Sequence, residues 1–301
     1  MKKIISLVLL ASFFYGCTSA PLIDEKQVSV YASFYPLSFL TEQIAGEKAN
    51  VVNVVPSGVE PHDFEPSSKT IAQITDSDLF LYNGVGIDEW AVQLVSTFDS
   101  DHTVINTSTF VDILATQYAD DGEMLGVADP HFWLDPNNMM KIADKIKSKL
   151  ISIDPANANF YENNYVALNA KLQTIDSNFL EGLKTCESKT FVTSHAAFAY
   201  LAKQYGLEML AISGISPDEE PSSKKIAEIS KLVEKYGIKY VFSESLLSSK
   251  ITETIANETD AQILVLNPIE GLTNDEEKTG EDYFTIMNSN LKNLKTALSC
   301  Q

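Results

Sequence analysis

Three of the four histidines in this 301-residue chain, His62, His131 and His195, lie in short loop-like segments. Two of these segments are rich in proline and acidic residues, and each follows or borders strand-like runs. Imidazole is the commonest side-chain ligand of zinc-like transition metals. Because histidine is so scarce in the chain, this joint placement predicts that the three side chains build one metal site. His102 follows an acidic segment at the start of a strand and is expected to be an ordinary hydrogen-bonded surface residue.

A carboxylate at the end of a strand is expected to supply a fourth ligand. Glu270 follows a strand-like run at residues 264–266, but Glu244 also ends a strand, so the residues alone leave both open. Three neutral imidazoles and one carboxylate form a nitrogen-rich site, which suits Zn²⁺ in tetrahedral geometry. Manganese prefers more oxygen ligands and a higher coordination number. The ligand set therefore favours zinc.

Acidic residues near the histidines are candidates for a supporting role. Asp63 and Asp135 lie close in sequence to His62 and His131, and Glu244 is a third candidate. A carboxylate that accepts a hydrogen bond from one ring nitrogen fixes the tautomer and leaves the other nitrogen free to bind metal.

The elements that must position these residues alternate between strand-like and helix-like patterns in both halves of the chain. Such alternation predicts parallel sheets flanked by helices. Ligands of such sheets bind beyond the carboxyl ends of the strands, where the connecting loops converge. Two candidate ligands lie in each half, so a cleft between two lobes is expected to hold the metal. Strands are predicted at residues 28–33, 51–55, 79–82, 103–105, 190–193, 207–212, 239–242 and 261–266.

We therefore predict an α/β fold of two lobes, each with a parallel-rich sheet flanked by helices, bridged by one long helix. Helical periodicity continues from residue 137 almost to residue 184, with an interruption near Asp154 and Pro155. The predicted division gives residues 28–156 to an N-terminal lobe, 157–184 to the linking helix and 185–301 to a C-terminal lobe.

The first seventeen residues are typical of a signal peptide. Lys2 and Lys3 precede an apolar run at residues 4–14, which is too short to span a bilayer as a mature helix. Cys17 directly follows Gly16, as in the lipobox of bacterial lipoproteins, although Phe14 departs from the usual leucine. We predict cleavage before Cys17, a lipid on its sulfur, and a tether over residues 18–27. The alternative is ordinary secretion without a lipid.

Charge and cysteine content narrow the partners and the compartment. The formal net charge of −19 argues against nucleic acid as a partner, because nucleic-acid binding depends on basic patches. The mature protein is expected to be extracytoplasmic, anchored to a bacterial membrane, and monomeric. In an oxidising compartment Cys186 and Cys300 could form a disulfide that holds the C-terminus to the start of the second lobe, or they could remain free.

The chain resembles the solute-binding lipoproteins of ABC-type zinc and manganese importers, over nearly all of the mature sequence. The resemblance depends on five motifs that occur together, which makes it specific. These are Pro61-His62-Asp63-Phe64-Glu65-Pro66-Ser67, Asp129-Pro130-His131-Phe132-Trp133-Leu134-Asp135-Pro136, Thr193-Ser194-His195-Ala196-Ala197-Phe198, the segment at residues 214–222, and Asn267-Pro268-Ile269-Glu270-Gly271-Leu272.

The resemblance implies two α/β lobes joined by a rigid helix, one metal ion in the cleft, and delivery of that ion to a membrane permease. The position of His195 tends to hold a carboxylate in manganese members, so His195 implies the zinc branch, and Glu270 matches the fourth ligand position. Many zinc members carry a long histidine-rich loop before the second ligand. Here the matching segment, residues 118–129, is short and acidic and contains no histidine.

The leading prediction is thus a protein that is not an enzyme and that captures Zn²⁺ for import. The first alternative is a manganese- or iron-binding protein of the same importer class. A secreted zinc hydrolase is a second alternative, but the chain contains neither a His-Glu-x-x-His helix nor a Gly-x-Ser-x-Gly elbow. A surface adhesin that uses the metal only structurally is a third.

Overall fold

The computed structural model of the chain describes residues 27–115, 126–217 and 221–301. These residues form two α/β lobes with a long helix between them, which confirms the predicted fold class. Cys17, the signal peptide, almost all of the predicted tether and most of the acidic segment at residues 118–129 lie outside the described residues. No helix among the described residues is long and apolar enough to cross a bilayer.

The N-terminal lobe is built on a four-stranded parallel sheet with the strand order β2-β1-β3-β4. Its central strand β3 is buried at every residue, as expected for a parallel sheet covered by helices on both faces. The elements in chain order are β1 (Val28–Ala32), α1 (Tyr35–Ala45), β2 (Ala49–Asn53), α2 (Ser68–Thr75), β3 (Leu79–Tyr82), α3 (Glu89–Val95) and β4 (Val104–Asn106).

Besides one-residue differences at the ends of β1 and β4, two elements of this lobe differ from the sequence prediction. Strand β2 ends at Asn53, whereas the apolar run predicted a strand through Val55. Val54 still donates its backbone N–H to Ala32 O at 2.9 Å, and both valines are buried, so their apolar character reflects the core rather than the strand. Helix α3 was not predicted, because seven residues are too few to give a clear helical period.

Two consecutive helices form the spine of the molecule, α4 (Pro136–Ile153) and α5 (Ala158–Gly182). Asp135 caps α4 by accepting the backbone N–H of Asn137 at 2.8 Å, and proline at the first helical position already has the required φ. The 3₁₀ turn at Pro155–Asn157 separates the two helices. Helix α5 buries one stripe against the core, at Tyr161, Leu168, Leu172, Ile175 and Phe179.

The C-terminal lobe repeats the topology of the first, with a parallel sheet in the order β6-β5-β7-β8. The loop after β5 continues through Phe198, and helix α6 begins at Ala199. The elements are β5 (Thr190–Thr193), α6 (Ala199–Tyr205), β6 (Glu208–Ala211), α7 (Ser223–Tyr236), β7 (Tyr240–Ser243), α8 (Lys250–Thr259), β8 (Gln262–Val265), α9 (Asn274–Thr279) and α10 (Tyr283–Ala297).

One continuous apolar cluster contains side chains from both lobes and from the spine. Trp133 lies fully buried in it and joins the lobes directly, since its indole N–H donates to Pro268 O at 2.7 Å. Tyr283 of α10 donates its hydroxyl to Trp133 O at 2.8 Å. The segments just after His131 and just before Glu270 are therefore bonded to each other across the lobe boundary.

A disulfide joins Cys186, before β5, to Cys300, at the end of the described chain, over a sequence separation of 114 residues. The backbone of the same segments is also paired, since Ser188 donates its N–H to Leu298 O at 3.2 Å. In the chain-entropy model, a crosslink that closes so long a loop restricts the unfolded chain strongly, so it stabilises the folded state.

We expect Cys186→Ser or Cys300→Ser to lower the free energy of unfolding by about 2–4 kcal/mol. The double variant should lose no more than either single variant, because the same covalent bond is lost in each. Denaturant unfolding without a reductant measures the difference. As a control, dithiothreitol should destabilise the wild type and leave the double variant unchanged; equal stability of wild type and variants would contradict the prediction.

Candidate metal centre

The structure brings His62, His131, His195 and Glu270 together between the lobes. One potential ligand atom from each lies within 4.8 Å of the others. His62 lies in the loop between β2 and α2, and His131 directly precedes the 3₁₀ turn at Phe132–Leu134. His195 follows β5 by two residues, and Glu270 lies in the loop after β8. Each lobe thus contributes two side chains, from loops at the carboxyl ends of its sheet.

Glu270 Oε1 lies at the middle of the cluster. Its distances to the Nε2 atoms are 3.2 Å for His131, 3.2 Å for His195 and 3.6 Å for His62. The Nε2 atoms of His131 and His195 are 3.4 Å apart. A tetrahedral zinc ion, with bonds of about 2.0–2.2 Å, separates its ligand atoms by roughly 3.3–3.5 Å. These four distances are therefore close to the edges of one tetrahedral coordination shell.

The cluster is shielded from solvent. The side chains of His131 and His195 are 0% exposed, that of Glu270 is 1% exposed, and that of His62 is 3% exposed. Buried polar atoms normally have a hydrogen-bond partner. His62 Nε2 has none among the described residues, although it points toward Glu270. A metal ion bound between these side chains would give this atom its missing partner.

The loop before His131 is fixed by polar contacts within the N-terminal lobe. Asn83, at the end of β3, donates its side-chain amide to Pro130 O at 3.0 Å. Asp88 in turn holds the Asn83 segment, because its carboxylate accepts the backbone N–H of Asn83 and the hydroxyl of Ser33. Burial raises the pKa of Asp88 to about 6, even though these hydrogen bonds act to lower it.

The loop before Glu270 has an unusual backbone. Ile269 is buried and has a φ of +57°, a left-handed conformation that a β-branched residue rarely adopts. Its N–H donates to Asn267 Oδ1 at 2.8 Å, and Asn267 is held by two hydrogen bonds with the Asn290 side chain. The surrounding bonds thus enforce the strained turn that directs Glu270 into the cluster.

Asp129 and Glu244 contact the rings of two of the histidines from behind. Asp129 Oδ1 lies 2.9 Å from His131 Nδ1, and Glu244 Oε1 lies 2.8 Å from His195 Nδ1. Both carboxylates are buried. Glu244 was one of three residues predicted for this role. Of the two carboxylates that the residues left open as a fourth ligand, Glu270 lies in the cluster, whereas Glu244 lies against the far side of the His195 ring.

Asp63 and Asp135, the other two candidates, do not take this position. Asp135 uses its carboxylate to cap α4, through Asn137, and Asp63 is exposed to solvent. Sequence reasoning missed Asp129. A signal for it existed, because acid-proline-histidine triplets occur at both Glu60-Pro61-His62 and Asp129-Pro130-His131. In both triplets the acid accepts the backbone N–H of the histidine.

His102, expected to be an ordinary surface residue, is not part of the cluster and makes local contacts instead. Its Nδ1 is 3.0 Å from Asp99 Oδ1, and its ring stacks on Phe98 with centroids 4.2 Å apart. Both partners are close neighbours in sequence.

The protonation of the cluster follows from its charges. Burial acts to lower the pKa of His131, but hydrogen bonds to Asp129 and Glu270 outweigh it and raise that pKa. Burial likewise acts to lower the pKa of His195, and the charges of Glu244 and Glu270 raise it well above its ordinary value. Burial acts to raise the pKa of Glu270, yet the surrounding histidines hold it well below its usual range. Without a metal, protons on His131 and His195 therefore balance the negative charge of Glu270.

Two α/β lobes around a buried cluster of three imidazoles and a carboxylate define the architecture of a two-lobed binding protein. The family model described as "Zinc-uptake complex component A periplasmic" matches residues 30–297, and the chain belongs to this family. This confirms the resemblance that the five motifs indicated.

Named relatives and a solved structure agree with this assignment. The chain is 37% identical over 305 residues to "Zinc-binding lipoprotein AdcA" of Streptococcus pneumoniae strain R6, covering 98% of this chain and 61% of the relative. It therefore spans less than two thirds of that relative's length.

It is also 37% identical over 280 residues to "High-affinity zinc uptake system protein ZnuA" of Bacillus subtilis strain 168, covering 90% of this chain and 88% of the relative. The Zn(II)-bound ZnuA-like domain of Streptococcus pneumoniae AdcA superimposes with a TM-score of 0.78 at 38% identity, covering 90% of this chain and 99% of that domain.

We expect a divalent transition metal to release protons when it binds at neutral pH. The pKa values of His131 and His195 are raised, so both rings keep their protons to a higher pH than ordinary histidines do. Metal affinity should therefore rise with pH from about 6 to about 8, as fewer protons remain to be displaced. Calorimetry in buffers of different ionisation enthalpy counts the protons released.

The contribution of these two histidines to the stability of the metal-free protein should fall as pH rises, opposite to the trend in metal affinity. Since folding raises the pKa of both histidines, their protonation stabilises the fold at low pH, and this contribution is lost as pH rises through the folded-state values. The extra thermal stability conferred by metal should therefore increase with pH over the same range. An affinity independent of pH would contradict the prediction.

Proposed function

We propose that the protein binds one Zn²⁺ ion per chain between its lobes, with His62, His131, His195 and Glu270 as the four ligands. The observation that carries the proposal is the convergence of three Nε2 atoms and one carboxylate oxygen, from four separate loops, within 4.8 Å of one another. Zinc is favoured over manganese because three nitrogen ligands and a tetrahedral spacing suit zinc, whereas manganese prefers more oxygen.

The ion is the cargo of the protein rather than a part of its structure. We propose that the loaded protein delivers Zn²⁺ to the membrane permease of an ABC-type importer. The names of the relatives, a zinc-binding lipoprotein and a zinc uptake system protein, support this role. In this scheme residues 28–156 and 185–301 are the two lobes, residues 157–184 link them, and the protein acts as a monomer.

Removal of one ligand tests the proposed site. We expect metal-free wild-type protein to bind one equivalent of Zn²⁺. His131→Ala should weaken Zn²⁺ binding by more than the about 10- to 100-fold that is typical when a residue supporting a metal ligand is replaced. The reason is that the remaining three ligands leave the ion with an open position and Asp129 without its partner. Titration against a competing chromophoric chelator measures both affinities.

His102→Ala is the matched control, because it removes a histidine that lies outside the cluster, and it should bind Zn²⁺ like the wild type. The same titration with Mn²⁺ and Fe²⁺ distinguishes the alternatives from the same importer class. Preferential binding of Mn²⁺ or Fe²⁺, or equal loss in both histidine variants, would overturn the proposed zinc site.

We further propose that Cys17 is the first residue after cleavage and carries a lipid, which holds the protein at the outer face of a bacterial membrane through the tether at residues 18–27. The name of the pneumococcal relative, a lipoprotein, supports this.

Buried acyl chains contribute about 0.8 kcal/mol per methylene to membrane attachment. Cys17→Ala should therefore move the protein from the membrane fraction of a bacterial host to the soluble fraction. Mass spectrometry of the mature N-terminus should find a lipid on Cys17 in the wild type, and an unmodified Cys17 would refute the anchor.

A further inference from the structure

Two buried carboxylates hold two of the proposed ligands in the same way. Asp129 accepts the backbone N–H of His131 at 2.9 Å and faces its Nδ1 at 2.9 Å. Glu244 accepts the backbone N–H of His195 at 3.2 Å and faces its Nδ1 at 2.8 Å. We call these pairs the carboxylate clamps. One carboxylate clamp belongs to each lobe, and in each the carboxylate contacts the histidine at both the main chain and the ring.

We propose that Asp129 and Glu244 are positioning residues of the metal site, which fix the tautomer, the orientation and the charge of their imidazoles. The proposal rests on the zinc-binding function proposed above. An ionised carboxylate can only accept hydrogen bonds, so a neutral histidine that faces it must carry its proton on Nδ1. The lone pair then lies on Nε2, the atom that points to Glu270 and to the other ring.

Contact at two points makes each clamp a geometric restraint as well as a chemical one. The backbone N–H fixes the carboxylate relative to the main chain, and the second contact then limits the rotation of the ring about its side-chain bonds. Further bonds hold the clamps themselves in place. The Ser194 hydroxyl donates to Glu244, and the Tyr200 hydroxyl donates to the main-chain oxygen of Asp129 at 3.0 Å.

The clamps also set the charge that the site offers to an ion. Among the described residues, no lysine or arginine pairs with Asp129, Glu244 or Glu270; their charged partners are the histidines. Buried charges are costly unless they are paired. Three carboxylates around three neutral imidazoles therefore favour a dication at the centre. The negative charge behind the rings of His131 and His195 makes their Nε2 atoms stronger donors to metal.

Four variants separate the charge of the clamps from their hydrogen bonds. Asp129→Ala and Glu244→Ala remove both, whereas Asp129→Asn and Glu244→Gln keep an oxygen that accepts the Nδ1 proton. We expect each alanine variant to bind Zn²⁺ about 10- to 100-fold more weakly than the wild type. The amide variants should fall between the wild type and the alanine variants. Asp63→Asn, at an exposed carboxylate beside a proposed ligand, is the matched control and should bind Zn²⁺ normally.

Cobalt(II) reports the geometry of the site independently of affinity. The visible spectrum of the Co²⁺-loaded protein should change in the alanine variants, because an unrestrained ring alters the ligand field, and should stay close to wild type in the amide variants. Thermal unfolding of each metal-free variant separates positioning from general destabilisation. If an alanine variant does not fold, the amide variant of the same clamp supplies the affinity and the spectrum.

Two results would overturn the clamps while leaving the zinc site intact. The first is wild-type Zn²⁺ affinity, within about twofold, in folded variants of both clamps. The second is a loss of Zn²⁺ affinity in the alanine variants that follows their loss of metal-free stability, with an unchanged Co²⁺ spectrum. By contrast, absence of Zn²⁺ binding in the wild type would refute the proposed function itself.

Discussion

Three imidazoles and a carboxylate converge in a site closed to solvent, and the cost of burying those polar groups is the constraint on which the rest of the structure depends. Each buried group requires a partner, and among the described residues the structure supplies partners for His131, His195 and Glu270 but none for His62 Nε2. Glu270 faces three ring nitrogens, Asp129 and Glu244 lie behind two of the rings, and Asn83 holds the main chain before His131. The proposed ion completes this network.

Rigid packing explains how four separate loops can share one centre. The apolar cluster is continuous through both lobes, and Trp133 and Tyr283 bond the segment after His131 to the C-terminal lobe. Ligand positions must be accurate to a fraction of an ångström, so elements packed on a common core place them better than independent loops would. The strained turn at Ile269 is tolerated because Asn267 and Asn290 hold the segment that precedes it.

The sequence was sufficient for the large features of the fold. Alternating strand and helix patterns predicted two parallel sheets, and the scarcity of histidine predicted that His62, His131 and His195 would lie together, as they do in the structure. The carboxylates around them were harder to predict, because a side chain two residues away in sequence can face either the ring or a helix end. Asp135 caps α4, whereas Asp129 and the distant Glu244 reach the rings. Glu244 was a candidate because it ends a strand, but a contact across 49 residues leaves no local pattern that pairs it with His195.

The division of the four grouped side chains between the two lobes has a consequence for the proposed binding of metal. Since each lobe offers only two of the four proposed donors, neither lobe alone could coordinate the proposed ion fully, and a bound ion would be a contact between the two halves of the chain. Folding and loading are then one coupled equilibrium. Free metal at about a thousand times the dissociation constant would add about 4 kcal/mol to the stability of the chain. A metal-starved cell would therefore hold this protein in a form measurably easier to unfold, and hence to degrade, than the form it holds when zinc is plentiful.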